Sequence, residues 1–458
     1  MIEFPSIRRC SMFLLALAGV SSAVGAQAQQ VRTAAKEQFI PILSYRIGPY
    51  AEAGKGIFGG YIDYFEMINR RDGGVNGVKI TWEECETEYK VDLGVACYEK
   101  LKRKGPTGAT VVAPYSTGIT YALIEKTTAD KIPLVSMGYG RADATAGSVF
   151  PYVFPIVTNY WSQSTAKIQF IAMFSGGVQR LKGKKIVNLY HGSAYGKETI
   201  EILSLQAEKY GFEVTHIEVP HPGTDQQAQW KQIKQIQPDW VILRGWGVMN
   251  PTALIMAKSI GFPASRMLGV WWSGAEQDVK PAGDAARGFM TAAFHLGGAD
   301  FPIIKDIAKH VYTDGGKGQM DDPKLIGTIY YNRGVIEAMI TVEAIRTAQT
   351  RFGNRPITGE EMRWGLENVN LSDRRLNQLG AFTFMQSLKL SCNDHEGGGA
   401  VKFQKWMGDE WIAVSGWIPS DKSLVRPLID KSAAKYAGEK NIKVRDCAED
   451  TPSQQAAR

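Results

Sequence analysis

The fold is decided by residues 38–82, which read QFIPILSYRIGPYAEAGKGIFGGYIDYFEMINRRDGGVNGVKITW. A short apolar run at residues 39–43 precedes apolar side chains at helical spacing, and a second apolar run follows at residues 78–82. The short runs are typical of buried strands, and the 3.6-residue spacing is typical of a helix. Glycines in segment 73–77 supply the turn out of the helix. The stretch therefore predicts strand, helix and strand, with the strands parallel.

The same alternation continues to residue 135 and restarts after Pro155. Before the restart, a helix is expected at residues 91–101 and strands at residues 111–113 and 132–135. After it, we expect strands at residues 185–190, 213–218, 240–244, 267–271 and 289–294, and helices at residues 161–174, 197–210, 225–236, 251–260 and 327–349. A late hairpin is expected at residues 406–417, with Gly408 and Asp409 at its turn. Two consecutive units of this kind predict an α/β fold with two doubly wound, parallel-sheet lobes.

The N-terminus has the order of a secretory signal peptide. Arg8 and Arg9 precede an apolar run at residues 12–20, and Ala26-Gln27-Ala28 follows as a cleavage site near Ala28. The protein is therefore expected in the periplasm, and the mature chain is long enough for two lobes. The expected domains are a signal peptide at 1–28, lobe 1 at 29–156, lobe 2 at 157–290, a return to lobe 1 at 291–382, completion of lobe 2 at 383–446 and a tail at 447–458.

Composition argues against several function classes. The formal net charge is +7, but the positive residues are scattered, and the clusters at 100–104 and 182–185 are not interleaved with aromatics, so no nucleic-acid partner is expected. Gly138-Tyr139-Gly140 lacks the third glycine of a dinucleotide fingerprint. His216 and His221 have no evident third ligand, so neither a metal nor a cofactor is expected. We expect a monomer.

An enzyme is the principal alternative from another class. Gly192-Ser193-Ala194-Tyr195-Gly196 does not match the nucleophile elbow, because its serine is misplaced. The sequence therefore favours a protein without catalytic residues. A hydrogen bond between a serine and a histidine in the cleft would favour the enzyme instead.

Four cysteines follow the signal peptide, and an even number in an oxidising compartment indicates disulfides. Four cysteines permit three pairings. We expect Cys85 to pair with Cys97 and Cys392 with Cys447, since the members of each pair lie in one region of the chain.

The order of elements and loop residues over residues 39–384 resembles the type I periplasmic solute-binding proteins, in the branch of the leucine/isoleucine/valine-binding proteins. The residues that carry the resemblance are Ile47-Gly48-Pro49-Tyr50, Gly59-Gly60, Asn69 with segment 73–77, Ala113-Pro114-Tyr115-Ser116-Thr117, Ile132-Pro133-Leu134-Val135-Ser136 and Tyr195-Gly196. Each motif alone is weak, but their order and spacing together are specific.

The resemblance implies two lobes joined by three crossings, near residues 154–158, 290–294 and 381–384. It also implies that the lobes close on a small molecule and deliver it to the membrane permease of an ABC importer. A periplasmic sensor subunit has the same sequence features and stays an alternative. No reaction is required for either role.

The residues expected to bind the ligand follow predicted strands. From the first lobe they are Tyr45, Tyr50, Tyr115, Ser116, Thr117, Ser136 and Tyr139, and from the second they are Tyr195, Trp246, Trp271 and Trp272. Hydroxyls and free N–H groups at a helix N-terminus suit a carboxylate, although Thr117 would serve equally as a helix cap. Aromatic side chains are usually core residues, but several at strand ends indicate a binding wall.

The sequence departs from the amino-acid binders at Val270-Trp271-Trp272-Ser273-Gly274, where they carry an acidic residue for the ligand's ammonium group. No carboxylate occupies that position, although Glu276 and Asp278 follow it. Burial of an unpaired ammonium would cost several kcal/mol. A small aromatic or apolar carboxylate is therefore the expected ligand. Branched-chain or other amino acids held by Glu276 or Asp278, amides and urea-like compounds are the alternatives.

Overall fold

The first strand–helix–strand unit is present as predicted. The computed structural model describes residues 36–448, so the expected signal peptide and residues 449–458 of the expected tail lie outside the described residues. Strand β1 (Glu37–Ser44), helix α1 (Ala51–Asp72) and strand β2 (Lys79–Glu86) follow one another, and the two strands pair in parallel. Gly73 ends α1 in the left-handed conformation at φ 69°, which glycine adopts without strain.

The rest of the described chain continues to alternate strands with helices. The further strands are β3 (Leu134–Val135), β4 (Val153–Phe154), β5 (Lys185–His191), β6 (Glu213–Val219), β7 (Trp240–Arg244), β8 (Met267–Gly269), β9 (Met290–Ala293), β10 (Asn370–Leu371), β11 (Leu388–Lys389), β12 (Lys402–Trp406) and β13 (Trp411–Ala413). The further helices are α2 (Val91–Leu101), α3 (Thr117–Asp130), α4 (Tyr160–Ser175), α5 (Ala194–Lys197), α6 (Ile200–Tyr210), α7 (Gln227–Ile236), α8 (Met249–Ser259), α9 (Glu276–Val279), α10 (Pro302–Ile307), α11 (Ile329–Phe352), α12 (Gly359–Glu367), α13 (Asp373–Gln378) and α14 (Lys422–Glu439).

Strands β1 and β2 form one parallel pair and β3 and β4 another, and we call these two pairs together the first sheet. Next to β1, the amide of Thr110 donates to the carbonyl of Phe39 at 3.2 Å, and Val112 forms a parallel bridge to Leu134 of β3. Strand β4 pairs with β3 in parallel. The predicted strand at residues 111–113 is reduced to this single bridge. The loops that follow these segments all leave from the same edge of the sheet.

The second sheet has seven strands in the order β13-β12-β9-β8-β7-β5-β6. Strands β5 to β9 are parallel, and β12 and β13 add an antiparallel hairpin at one edge. The predicted late hairpin is therefore present, although its first strand begins at Lys402. The two largely parallel sheets confirm the predicted α/β fold class.

At the expected third crossing near residues 381–384, the chain runs beside the segment that follows β9. The amide of Leu296 donates to the carbonyl of Phe384 at 3.1 Å, and His295 forms an antiparallel bridge to Met385. Strand β11 first pairs with β10, because Leu371, Leu388 and Leu390 are buried together in the core. The amide of Gly399 then donates to the carbonyl of Val157 at 3.0 Å. Only at Lys402 does the chain join the seven-stranded sheet. The chain therefore passes the segment after β9 near Phe384 and then Val157 near Gly399 before it joins this sheet.

The two long helices α1 and α11 pack closely against each other. A side chain on Gly60 would approach the carbonyl oxygen of Tyr331 to 2.1 Å, and one on Gly334 would approach that of Ile57 to 1.9 Å. Such distances are shorter than any van der Waals contact, so only glycine allows this helix spacing. The packing positions α11 behind the loops that leave the first sheet.

The described residues from Lys36 onward form one compact unit. Although α11 is the longest helix of residues 36–448, it carries several charged residues, among them Arg333 and Glu337. Among the helices of this part of the chain, none combines the length and hydropathy that a bilayer crossing requires.

Both expected cysteine pairs are joined in the structure. The Cα atoms of Cys85 and Cys97 lie 5.7 Å apart, and those of Cys392 and Cys447 lie 5.5 Å apart. Both distances fall in the usual range for disulfides. The first bridge ties β2 to helix α2, and the second ties the segment after α14 to the loop after β11.

Loss of the Cys392–Cys447 bridge should destabilise the protein more than loss of Cys85–Cys97. Cys392 and Cys447 are separated by 55 residues, and Cys85 and Cys97 by 12. In the chain-entropy model, this difference in loop length corresponds to about 1.3 kcal/mol in the free energy of unfolding. Removal of either bridge should lower that free energy by about 2 to 5 kcal/mol. Urea denaturation of the two Cys→Ser double variants measures both values. Peptide mapping without reduction checks the pairing, and crossed pairs or free thiols would contradict it.

Candidate functional site

A small cavity lies where the carboxyl ends of strands from the two sheets meet. It has a volume of about 10 Å³, room for about one water molecule, and is lined by Tyr89, Tyr115, Thr117, Tyr139, Tyr160, Tyr195, Trp246 and Trp272. The first five follow strands or the bridged segment of the first sheet, and the last three follow β5, β7 and β8 of the second. Ligands of open α/β sheets bind in this position. A larger surface depression is lined by residues that precede strands, such as Ala109 and Ile132.

Six of the eleven predicted ligand-binding residues line this cavity, namely Tyr115, Thr117, Tyr139, Tyr195, Trp246 and Trp272. The other five, Tyr45, Tyr50, Ser116, Ser136 and Trp271, lie behind its wall. Rings of Tyr50 and Trp246 stack with centroids 5.5 Å apart, and rings of Trp271 and Tyr160 stack at 5.7 Å. The Tyr45 hydroxyl donates to the carbonyl of Tyr115 at 3.3 Å. Ligand contact stays a prediction for all eleven residues.

Two lining residues, Tyr89 and Tyr160, were not predicted from the sequence. Tyr89 lies in the short loop between β2 and α2, and Tyr160 begins α4 shortly after β4. Both residues fit the rule by which the other aromatic residues were selected, because each follows a strand, in this case a strand of the first sheet. That rule identifies Tyr89 and Tyr160 only when it is applied to the ends of β2 and β4.

The N-terminus of α3 presents Thr117 to the cavity. Ser116 caps the helix, since its side chain accepts a hydrogen bond from the amide of Ile119 at 3.4 Å. The cap expected at Thr117 is therefore supplied by its neighbour. The amides of Thr117 and Gly118 belong to the first turn and have no partner inside the helix. A helix of 14 residues adds a favourable field for an anion at this end.

Trp271 and Trp272 lie in a tight turn and not at the end of the predicted strand. Strand β8 ends at Gly269, and a 3₁₀ turn follows at Trp271–Ser273. Adjacent residues of a strand point to opposite faces, whereas here both indole nitrogens donate to the carbonyl of Gly138, at 2.6 and 3.1 Å. The turn therefore joins a loop of the second sheet to the Gly138 loop of the first.

Two buried arginines stand behind the aromatic wall. The guanidinium of Arg244 lies 3.9 Å from the ring centre of Tyr160 and 4.6 Å from that of Tyr195. That of Arg333 lies 4.4 Å from the ring of Trp272. Among the described residues neither Nη1 has a hydrogen-bond partner. A cation on the outer face of a ring makes the inner face a poorer site for a second cation. The electrostatics of the cavity therefore favour an anionic or neutral ligand.

Three carboxyl groups lie close to the site without lining the cavity. Glu276 accepts from the amide of Ile329 at 3.0 Å, and Asp278 accepts from Asn250 and Tyr330 at 2.9 and 2.8 Å. Burial raises the pKa of Asp278 to about 7 and the pKa of Glu337 to about 8. Glu276 and Asp278 are thus engaged in hydrogen bonds within the protein.

A serine–histidine contact is present near the cavity. The hydroxyl of Ser193 lies 2.9 Å from Nδ1 of His191, but it also caps α5 by accepting from the amide of Gly196. The other nitrogen of His191 faces the hydroxyl of Tyr50, where a catalytic triad would have a carboxylate. Burial lowers the pKa of His191 to about 4, which makes it a weak base. The contact therefore lacks the features of an activated nucleophile.

The family model for periplasmic binding proteins matches residues 37–410. This match spans strands β1 to β12 and every residue that lines the cavity. The chain belongs to the periplasmic binding protein family. The resemblance seen in the sequence is thereby confirmed. Within residues 36–448 of this periplasmic binding protein, no group of three or more His, Cys, Asp or Glu side chains is placed to hold a metal ion.

Solved structures show the same fold. A structure described as an ABC transporter permease from the Pseudomonas fluorescens group is 48% identical, with a TM-score of 0.84, over 90% of this chain and 99% of that one. A branched-chain amino acid ABC transporter from Thermus thermophilus with bound valine is 23% identical, with a TM-score of 0.70, over 86% and 99%. An ABC transporter solute-binding protein from R. palustris in complex with benzoate is 17% identical, with a TM-score of 0.61, over 84% and 97%. No curated protein sequence matches this chain.

Glu337→Gln should flatten the pH dependence of stability. The raised pKa of Glu337, about 8, means that the folded chain holds a proton which the unfolded chain releases above about pH 4.5. The free energy of unfolding of the wild type should therefore fall as the pH rises through that window, by up to about 1.4 kcal/mol per unit from this group. Urea denaturation at about pH 5.5 and about pH 8 measures the slope.

The matched control is Glu360→Gln, because Glu360 is exposed and pairs with Lys131 at the surface. Its slope should equal that of the wild type. Equal slopes for wild type and Glu337→Gln would show that Glu337 titrates normally in the folded protein.

Proposed function

We propose that this periplasmic binding protein is the substrate-binding component of a branched-chain-amino-acid-type ABC importer, and that it captures a small aromatic or apolar carboxylate by lobe closure. The proposal rests on one observation, the cavity in which the N-terminus of α3 meets seven aromatic rings. Of the two distant structural relatives, one has benzoate bound, which is a small aromatic carboxylate, and the other has valine, whose carboxylate is accompanied by an ammonium group. The proposed role in transport follows the names of those relatives.

The carboxylate is placed at Thr117 in this proposal. The Thr117 hydroxyl and the first-turn amides of α3 supply donors, and the helix adds a favourable field. Arg244 and Arg333 add positive charge behind Tyr160, Tyr195 and Trp272. Neither arginine is fully paired among the described residues, so an anion between them would gain from both.

The body of the ligand is placed between the aromatic rings. Tyr115 and Tyr139 stack at 5.6 Å on the first-sheet side, and Trp246 meets Trp272 edge to face at 5.2 Å on the other. Binding pockets with mostly aromatic walls and few polar groups bind ligands by burying apolar surface. The cavity has a volume of about 10 Å³, so the aromatic rings must move apart to admit a ligand with a single ring or a short branched chain.

An α-amino acid fits this site less well. No carboxylate lines the cavity, and Glu276 and Asp278 already accept hydrogen bonds from Ile329, Asn250 and Tyr330. An ammonium group would therefore be buried without an anionic partner, at a cost of several kcal/mol. Amides and urea-like compounds do not carry this cost and remain the alternative ligands.

Closure requires two lobes, which we place around the two sheets. We place the connections near residues 154–158, 290–294 and 381–384, the last of which pairs with the segment after β9. A ligand that contacts both sheets favours the closed form by its differential contacts alone, without a reaction. Periplasmic location after cleavage near Ala28 and a membrane permease as partner complete the proposal. Permease and ATPase genes beside this one would favour transport over a sensor role.

A thermal-shift screen should separate the ligand classes. Benzoate and short aliphatic acids should raise the melting temperature, whereas leucine and valine should not, because their ammonium groups have no partner. A ligand at about 100 times its dissociation constant adds about 2.7 kcal/mol of stability. A shift by amino acids alone would contradict the proposed ligand class.

Variants of the cavity wall test the location of the site. Thr117→Ala, Trp246→Ala and Trp272→Ala should each reduce the shift caused by the acid. Trp417→Ala is the control, since Trp417 lies against Lys402 at the hairpin edge, away from the cavity. Unchanged shifts in all three wall variants would place the pocket elsewhere.

A further inference from the structure

A polar cluster joins the two sheets next to the aromatic cavity. The Tyr50 hydroxyl oxygen lies 3.0 Å from Nε2 of His191 and 2.6 Å from Nδ1 of His221, and the two nitrogens are 3.4 Å apart. Tyr50 immediately precedes α1 on the side of the first sheet. His191 ends β5, and His221 follows β6, on the side of the second. One phenol therefore connects the two sheets through two imidazoles.

The ring of Tyr50 also packs on the wall of the cavity. It stacks on Trp246 at 5.5 Å with planes 15° apart, and it lies 4.5 Å from the ring of Tyr89. A side chain on Gly247 would come within 2.6 Å of the Tyr50 ring, and Gly247 has φ +55°. Only glycine meets both conditions without strain. The same residue thus contacts the cavity wall and the two histidines.

The hydrogen bonds of the cluster are complete when both imidazoles are neutral. Nε2 of His191 can donate to Tyr50, whose hydroxyl then donates to Nδ1 of His221. On the other side of His191, Nδ1 can accept from the hydroxyl of Ser193 at 2.9 Å. Each donor that faces the inside of the cluster then has one acceptor, and His221 is otherwise exposed. A proton added to His191 adds a donor and a charge to a set that is already matched.

The surroundings of His191 disfavour its charged form. Burial, and next the neighbouring His221, lower the pKa of His191 to about 4, whereas Glu218 acts in the opposite direction. Glu218 of β6 is itself engaged, since it accepts from Tyr190 at 3.1 Å and lies 3.4 Å from Lys197 of α5.

On the other elements that pack here, the nearby groups are phenols or are already paired. The ring of Tyr195 lies 6.2 Å from that of His191, and the Tyr195 hydroxyl donates to the carbonyl of Gly245. In the first turn of α1, Glu52 and Lys55 pair with each other at 2.9 Å. A charge on His191 therefore gains little compensation from these elements.

Resting on the proposed function, we propose that Tyr50, His191 and His221 form a latch that holds the closed form through the hydrogen bonds of Tyr50 and releases it when His191 is protonated. Tyr50 is a positioning residue in this scheme, because it acts on the ligand through Trp246. In an open form His191 would be solvated and would titrate near its ordinary pKa of about 6.5. The closed form should then be fully favoured above about pH 6.5 and progressively lost as the pH falls toward the closed-state pKa.

The test uses benzoate as the probe in calorimetric titrations of the mature protein. The dissociation constant of the wild type should be about tenfold weaker at about pH 5.5 than at about pH 8. His191→Gln keeps a hydrogen-bonding side chain but cannot titrate, so its two constants should agree within about twofold. Tyr50→Phe keeps the stacked ring and loses the hydroxyl, so it should bind about tenfold more weakly at about pH 8 and show a reduced pH dependence.

The matched control is His216→Gln. His216 is half-buried on β6, its pKa is lowered by burial, and it bonds Asn188 and Ser204 within the second-sheet region. A general effect of histidine titration on stability would appear in His216→Gln as well, whereas the latch predicts a wild-type pH profile for it. A wild-type constant that does not change with pH, or a His191→Gln profile equal to that of the wild type, would overturn the latch.

Small-angle X-ray scattering of the ligand-free protein separates this inference from the proposed function. The latch predicts a larger radius of gyration for Tyr50→Phe than for the wild type at about pH 8, and a shift of the wild type toward that value at about pH 5.5. If benzoate does not bind at any pH, the proposed ligand class fails while the scattering comparison still decides the latch. Equal radii for wild type and Tyr50→Phe would overturn it.

Discussion

The direction of the strands is the constraint on which the site depends. Because β1 to β4 and β5 to β9 are parallel within their sheets, every connection between them must cross a face of the sheet, and most do so as helices. The loops that follow the strands therefore collect at one edge of each sheet. Residues as distant in the chain as Tyr89 and Trp272 line one cavity for this reason.

The same constraint explains what the sequence could and could not predict. Tyr195 and Trp246 follow the longer strands β5 and β7, whose apolar runs are visible in the sequence, so their position at strand ends was predictable. Tyr160 follows a strand of only two residues, Val153–Phe154, which has no detectable period. The pairing of β10 with β11 involves only two residues on each side, and it was not predicted for the same reason. Short strands are specified by tertiary contacts and not by local pattern.

The buried charges could not be inferred from the sequence. Arg244 ends a predicted strand, and Arg333 and Glu337 lie one turn apart on α11, where charged residues usually face solvent. In the structure α11 is buried over most of its length, so all faces of the helix meet protein. The guanidinium groups are compensated by rings, with Arg333 4.4 Å from Trp272 and 5.0 Å from Phe294. Cation–π contacts of this kind leave no periodicity in the sequence.

Trp246 belongs both to the wall of the cavity and to the stack that contains Tyr50. Apolar contacts are weakly directional, so seven rings around a ligand would hold it without setting the angle between the two sheets. Hydrogen bonds are directional and lose strength when bent, and the contact of Tyr50 with His191 and His221 satisfies its donors in one relative position only. The rings would therefore supply the binding energy for the ligand, whereas the polar cluster would set the relative position of the two sheets. Trp246 lines the cavity and stacks on Tyr50, so it is the structural link by which a bound ligand would favour one arrangement of the sheets.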